Sequence, residues 1–265
     1  MLDDAKSARV KQVARLQQKD ARFETGLFLL EGPQGLKELV RQPQLAHEVF
    51  ATPAALDRYQ ELFDKLAAAD VPIVEVSERV LEAMADTKTP QGVVAVLEQF
   101  DADLDDLLGS EPQLIAILDR VQDPGNAGTV LRAADAAGAD GVIFSAESVD
   151  LFNPKVVRST AGSLLHLPTV INQDLPEVIS RLKARGIQVF AAAAGGDLIT
   201  DLDDQLAAPT AWIFGNEAQG VAEEILKLAD KVVALPIYGD AESLNLATAA
   251  SVCLYASAMA QHRNR

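Results

Sequence analysis

The stretch LIAILDRVQDPGNAGTVLRAADA, residues 114–136, decides the fold. Leu114–Leu118 is an apolar run of strand length, suited to burial on both faces of a sheet. Pro124-Gly125 then forces a turn, Asn126 stands where a helix would begin, and residues 129–137 have helical spacing. A buried strand leading straight into a helix is the repeating unit of a parallel α/β sheet. Downstream, apolar runs at 141–144, 188–192, 211–214 and 231–235 alternate with helical patterns at 177–185, 222–229 and 244–261. This alternation predicts a mostly parallel sheet with helices on both faces, and such sheets bind ligands at the carboxyl ends of strands. The loops after Leu118, Phe214 and Leu235 are therefore where chemistry is expected.

Upstream, residues 1–98 read as a smaller α/β unit. Helical spacing over 6–18 turns Val10, Val13, Ala14 and Leu16 inward and most basic residues outward. GLFLLE at 26–31 is a short strand, and Pro33 opens a helix running to about Val40. Strands follow at 48–51, 72–76 and 92–97, with helices at 54–69 and 78–85, the latter with Ser77 as its N-cap. Glu98, Asp101, Asp103, Asp105, Asp106 and Glu111 then come with no basic residue among them, as in an interdomain linker with one helical turn around Leu104–Leu108 or in a solvated surface helix. The expected domains are 1–98 and 112–265, joined by an acidic linker at 99–111.

Composition narrows the function. With 49% hydrophobic and 23% charged residues, the 265-residue chain is globular in character. No apolar run approaches a membrane span, and Asp3 and Asp4 follow Met1 where a signal peptide would carry an apolar core. The expectation is a cytoplasmic protein with no membrane association. The single Cys253 excludes a disulfide framework, and three scattered histidines (His47, His166, His262) supply no zinc motif, so no metal is expected. The formal charge of −16 argues against nucleic acid as a partner. Yet residues 1–41 hold eight basic and six acidic residues, which leaves room for a local basic face on an acidic body.

The usual nucleotide fingerprints are missing. There is no GxGxxG, and GNEAQG at 215–220 has phosphate-loop spacing but leads into Val221-Ala222 instead of Lys-Ser/Thr. The three strand-end loops carry other residues. The first holds Asn126, Gly128 and Arg132; the second places Glu217 between Gly215 and Gly220; the third runs Leu235-Pro236-Ile237 and then Ser243-Leu244-Asn245. Local roles compete here. Asn126 suits a helix N-cap, Arg132 a surface ion pair, and Glu217 the start of the next helix. Ser243 suits the N-cap of the final helix, which leaves Asn245 unexplained.

Taken together, the loops resemble the three motifs of the SpoU-type RNA ribose 2′-O-methyltransferases of the SPOUT class, in family order. RFETGLFLLEG at 22–32 is similar to the start of that family's L30e-like domain. The resemblance implies an amino-terminal L30e-like α/β domain and a trefoil-knotted carboxy-terminal methyltransferase domain that forms a homodimer. It implies S-adenosyl-L-methionine held by Phe214, Gly215, Asn216, Gly220, Leu235, Ile237, Ser243 and Leu244. Arg132 would stand at the reacting ribose, positioned with the help of Asn126, Glu217, Ser243 and Asn245. A guanidinium is essentially never deprotonated, so Arg132 is expected to stabilise charge in preference to accepting the proton. Lys6, Arg9, Arg15, Lys19 and Arg22 are the expected RNA phosphate contacts. Ribosomal RNA is favoured over tRNA. The alternatives are a tRNA enzyme, a catalytically silent RNA- or ribosome-binding assembly factor, and a small-molecule α/β enzyme.

Overall fold

The computed structural model describes residues 1–263. In chain order its elements are α1 (Ala8–Arg15), α2 (Lys19–Thr25), β1 (Leu27–Glu31), α3 (Gly32–Leu39), β2 (Ala46–Ala51), α4 (Pro53–Arg58), α5 (Gln60–Ala68), β3 (Ile73–Glu75), α6 (Glu78–Met84) and β4 (Val93–Glu98). There follow α7 (Leu104–Gly109), β5 (Leu114–Leu118), α8 (Pro124–Ala136), β6 (Gly141–Ser145), α9 (Pro154–Ser159), β7 (Thr169–Gln173), α10 (Leu175–Ala184), β8 (Gln188–Leu198), β9 (Thr210–Phe214), α11 (Glu223–Leu228), β10 (Lys231–Ala234) and α12 (Leu246–His262). Packing divides them into two units. One is Met1–Phe100 with Asp150–Leu165, and the other is Asp101–Val149 with the chain from His166 onward.

The first unit is built on a sheet of order β1-β4-β2-β3. β4 lies inside it, antiparallel to β1 and β2, which is why every residue of Val93–Leu97 is buried. Val10 and Val13 of α1 pack with Leu29, Phe50, Met84 and Val94, as the helical spacing predicted. The continuous helix expected over 54–69 is broken at Tyr59, whose backbone (φ −117°, ψ 29°) leaves the helical region between α4 and α5. Ser77 stands at the N-cap position of α6, but its buried hydroxyl has no hydrogen-bond partner there. Asp150–Leu165, a segment distant in sequence, also belongs to this unit. Phe152 packs its ring on Phe28 at 4.8 Å, and Arg158 pairs with Asp86 at 2.8 Å.

The second unit is a six-stranded sheet of order β10-β8-β9-β5-β6-β7, parallel throughout. β5, β6 and β9 are buried at every residue, as the unbroken apolar runs required. β7 was not anticipated: it pairs only with β6 at the sheet edge, and its Asn172 and Gln173 hide any apolar run. Within the acidic stretch 99–111 the helical turn expected around Leu104–Leu108 is α7, and it is not fully solvated. Asp103 caps α7, and Leu104, Leu107 and Leu108 enter the core while the carboxylates stay outside. Trp212 of β9 is fully buried and donates from Nε1 to Ser257 Oγ of α12 at 2.9 Å, which ties the final helix to the sheet. Among the described residues no helix is long and apolar enough to cross a membrane.

Candidate active site

β5 ends at Leu118, and the chain turns through the buried Asp119 into Arg120, held in the left-handed region at φ +52°. A non-glycine residue there is strained and persists only where its surroundings fix it. Arg120 donates its backbone N–H to Ser145 Oγ at 2.8 Å, and its carbonyl accepts from Asn216 Nδ2 at 2.8 Å. Asp119 accepts from its neighbour's Nε at 3.0 Å and from the backbone N–H of Ala222 at 3.0 Å. The Asp119 carboxylate, through its hydrogen bond, holds the Arg120 guanidinium above its ordinary range.

The helix cap is one turn earlier than Asn126. Asp123 is the N-cap of α8 and accepts the Asn126 N–H at 2.7 Å, with Pro124 in the first turn. This frees the Asn126 side chain. Its Nδ2 donates to Glu217 Oε1 at 3.2 Å, and its Oδ1 accepts from Asn245 Nδ2 at 3.0 Å. Glu217 also accepts the backbone N–H groups of Gln122 at 3.1 Å and Asp123 at 3.0 Å. Burial alone would raise the pKa of Glu217, but hydrogen bonds from its own backbone, Gln122, Asn126 and Asp123 outweigh it and keep the carboxylate below its ordinary value. Glu217 is thus a fixed anion that organises donors.

The cap of the final helix also differs from the expected one. Asn245, not Ser243, is the N-cap of α12; its Oδ1 accepts from Ala247 N at 2.9 Å and Thr248 N at 3.3 Å. Asn245 therefore has two jobs, capping with its oxygen and bonding Asn126 with its nitrogen. One hydrogen-bonded chain, Asn245–Asn126–Glu217, joins the three strand-end loops.

These loops border a cavity of about 510 Å³, within the range of cofactor sites. All eight residues expected at the cofactor line it: Phe214, Gly215, Asn216, Gly220, Leu235, Ile237, Ser243 and Leu244. Asn126, Glu217 and Asn245 reach it too. A Cβ at Gly215 would overlap the Val221 nitrogen and the Gly220 carbonyl carbon, so only glycine fits. Asn216 and Gly220 close the loop by exchanging backbone hydrogen bonds at 3.1 and 2.8 Å. Ile237 and Leu244 keep apolar surface exposed at the cavity, the surface an adenine ring would cover. The residues present fit S-adenosylmethionine: apolar side chains at Phe214, Leu235, Ile237 and Leu244, close backbone at Gly215 and Gly220, and polar groups at Asn126, Asn216, Glu217, Glu242, Ser243 and Asn245.

Ala192–Ala194 of β8 and Glu242 also line the cavity and were not foreseen. The signal was present in AAAAGG at 191–196, a run of small side chains within β8, which continues to Leu198, past the strand expected at 188–192. Arg132 is the exception among the expected site residues. It is exposed on α8, six residues beyond Asn126, and is not among the cavity residues of the single chain. At 3.6 residues per turn, six residues rotate it about 600° from Asn126 and carry it about 9 Å along the axis.

In the first unit, Lys6, Arg9, Arg15 and Lys19 are exposed, with Arg9 paired to Glu48 and Arg15 to Glu24. Arg22 is not a phosphate contact. It is 2% exposed, and its guanidinium donates to Asp150 at 2.5 and 3.0 Å and to the Leu16 carbonyl at 2.9 Å. Cys253 of α12 is fully buried within one chain and is not free to sit in an interface. Among the described residues no group of three or more His, Cys, Asp or Glu is placed to hold a metal ion.

A parallel sheet whose strand-end loops close on one cavity, with these residues at these positions, defines a methyltransferase of the SPOUT class. The chain belongs to the SpoU rRNA methylase family, whose sequence pattern matches residues 113–255, and the MRM3-like substrate binding domain matches residues 7–95. It is 33% identical to the 23S rRNA (guanosine(2553)-2′-O)-methyltransferase RlmP of Bacillus subtilis, over 96% of this chain and 97% of that one. The AdoMet-bound rRNA methyltransferase from Sinorhizobium meliloti superposes with TM-score 0.85 at 31% identity, covering 97% of this chain and 96% of that one. The SpoU methyltransferase AviRb of Streptomyces viridochromogenes, in complex with AdoMet, gives TM-score 0.84 at 30% identity over 96% and 98% of the two chains.

Proposed function

We propose that this enzyme methylates a ribose 2′-hydroxyl of large-subunit ribosomal RNA, with S-adenosylmethionine as donor. The observation that carries the reading is the Asn245–Asn126–Glu217 chain at the edge of a cofactor-sized cavity. The 23S rRNA named for the Bacillus subtilis relative favours ribosomal RNA as substrate. S-Adenosylmethionine supplies, when bound, a methyl group on a sulfonium. Phe214, Leu235, Ile237 and Leu244 would enclose its adenine ring, with the Gly215–Gly220 loop against its polar edges. Glu217 stays ionised and fixes Asn126; it is too heavily hydrogen-bonded to serve as the proton acceptor. As the ribose oxygen gains the methyl group, its proton leaves to water.

Arg132 would stabilise the developing negative charge on that oxygen and hold the adjacent phosphate. It does so across a homodimer. α12 leaves Val252, Tyr255 and Met259 exposed along one side, and α8, which carries Arg132, packs on α12. A second copy covering this stripe would bring Arg132 of one protomer to the cavity of its partner. Threading of the 235–245 segment past the other two loops, as in a trefoil knot, fits the hydrogen bonds that join them.

Transfer of tritiated methyl from S-adenosylmethionine to 23S rRNA, with alkali-resistant linkages mapping the modified ribose, tests the substrate. Incorporation into tRNA alone, or label on a base, refutes it. Arg132→Ala is expected to bind cofactor normally and to lose transfer. Mixing Arg132→Ala with Asn126→Ala chains should restore activity, because one site of each mixed dimer then carries neither defect. No recovery in verified mixed dimers would return Arg132 to its own chain's cavity.

A further inference from the structure

The first unit contains a second cavity, of about 520 Å³, that none of the motif residues enters. Buried Leu81 and Ala55, with Pro33 and Pro90, give it apolar walls. Tyr59 enters at the break between α4 and α5, where the expected single helix is interrupted. The Arg58 guanidinium stands over the Tyr59 ring, 5.4 Å from its centroid. Thr52, Gln91, Glu78 and Glu82 supply the polar groups. Gly92, at φ +83°, keeps the space open; a Cβ there would come within 2.8 Å of Ala55 Cβ and 3.0 Å of Thr52 Oγ1.

We propose that this cavity takes one unpaired base of the substrate RNA, stacked on the Arg58–Tyr59 pair; the proposal rests on the RNA-methyltransferase reading above. An aromatic ring topped by a guanidinium is a stacking surface for a planar base, and proteins read single-stranded RNA by such stacking plus hydrogen bonds to base edges. A basic peptide side chain is the poorer fit, because Arg58 already occupies the cation's place on the ring. The polar groups also set a preference. The Glu78 and Glu82 carboxylates only accept hydrogen bonds, so they favour bases with an exocyclic amino group over uracil. The cavity therefore helps choose which RNA strand is held, apart from the methyl-transfer site.

The test uses the full-length protein. Tyr59→Trp adds a partly exposed indole to the single native tryptophan, the buried Trp212, and its fluorescence is titrated with the single-stranded RNAs UUAU, UUCU, UUGU and UUUU. Quenching by the three amino-bearing oligonucleotides, at least threefold tighter than by UUUU, is expected. In methyl transfer to rRNA, Tyr59→Ala should raise the RNA KM about tenfold or more, the usual worth of one stacked base. kcat and cofactor affinity should be unchanged, and Tyr59→Phe should restore the wild-type KM. Absent quenching, quenching only by oligolysine, or an unaltered RNA KM in a folded Tyr59→Ala protein each overturns the proposal. Failure of wild type to methylate RNA at all would instead overturn the larger reading, so the two failures are told apart.

Discussion

Asn245 offers a perturbation that separates folding from chemistry, because its two side-chain atoms do different things. The oxygen caps α12 through Ala247 and Thr248, and the nitrogen donates to Asn126. Asn245→Ala removes both. Loss of an N-cap costs about 1 kcal/mol, and an exposed neutral hydrogen bond adds roughly 0.5–1 kcal/mol. For a chain of this size the combined loss should lower Tm by about 4–8 °C. Asn245→Asp keeps the cap, and a carboxylate at a helix N-terminus is favoured by the helix dipole. Its Tm should stay within about 2 °C of wild type, since each kcal/mol is worth roughly that much or more. The aspartate cannot donate, however, and sets a negative oxygen against Asn126 Oδ1, one bond from Glu217. Methyl transfer by Asn245→Asp should fall at least about tenfold, equivalent to roughly 1.4 kcal/mol on the barrier. Calorimetry gives the Tm, and single-turnover transfer on rRNA gives the rate. Wild-type turnover by Asn245→Asp would refute the view that the Asn245–Asn126 link positions the catalytic loop.

Three further outcomes are expected. Gly215→Ala forces a methyl into the Gly220–Val221 backbone and should open the 216–220 loop, at a cost of about 1–3 kcal/mol; titration calorimetry should find S-adenosylmethionine binding weakened at least about tenfold. Arg22→Ala leaves Asp150 and the Leu16 carbonyl without their donor, so it should destabilise the fold by about 2–3 kcal/mol in urea unfolding; the RNA-binding salt slope of a still-folded sample should match wild type, whereas neutralising Lys6 and Lys19 together should flatten it. Burial pushes the Cys253 thiol up to about 12, so a chromogenic disulfide reagent should leave it unmodified at pH 8 and label it fully only in denaturant.

Much of the architecture was legible locally. Runs such as Leu114–Leu118 are apolar at every position because a strand covered on both faces has no solvated side, and the parallel sheet followed from several such runs between helices. β7 escaped because an edge strand buries less of itself, and α9 because its anchors are in the other half of the sequence. The motif residues were legible as well: the eight expected at the cofactor line one cavity, while Arg132 is outside it in the single chain.

Local chemistry could not rank equivalent candidates. Ser243 and Asn245 are both good caps two residues apart, and Asp123 and Asn126 three apart; in the structure Asn126 is bound instead to Glu217 and Asn245, both distant in the chain. Arg22 reads like Arg15 in the sequence, yet one is buried on Asp150 and the other exposed, since burial depends on contacts a hundred residues away. Periodicity and residue type record short-range energetics, which sufficed for the sheet, the helices and the identity of the chemical groups. Which of those groups meet, and which are consumed in holding the fold, is a long-range matter decided only when the chain closes on itself.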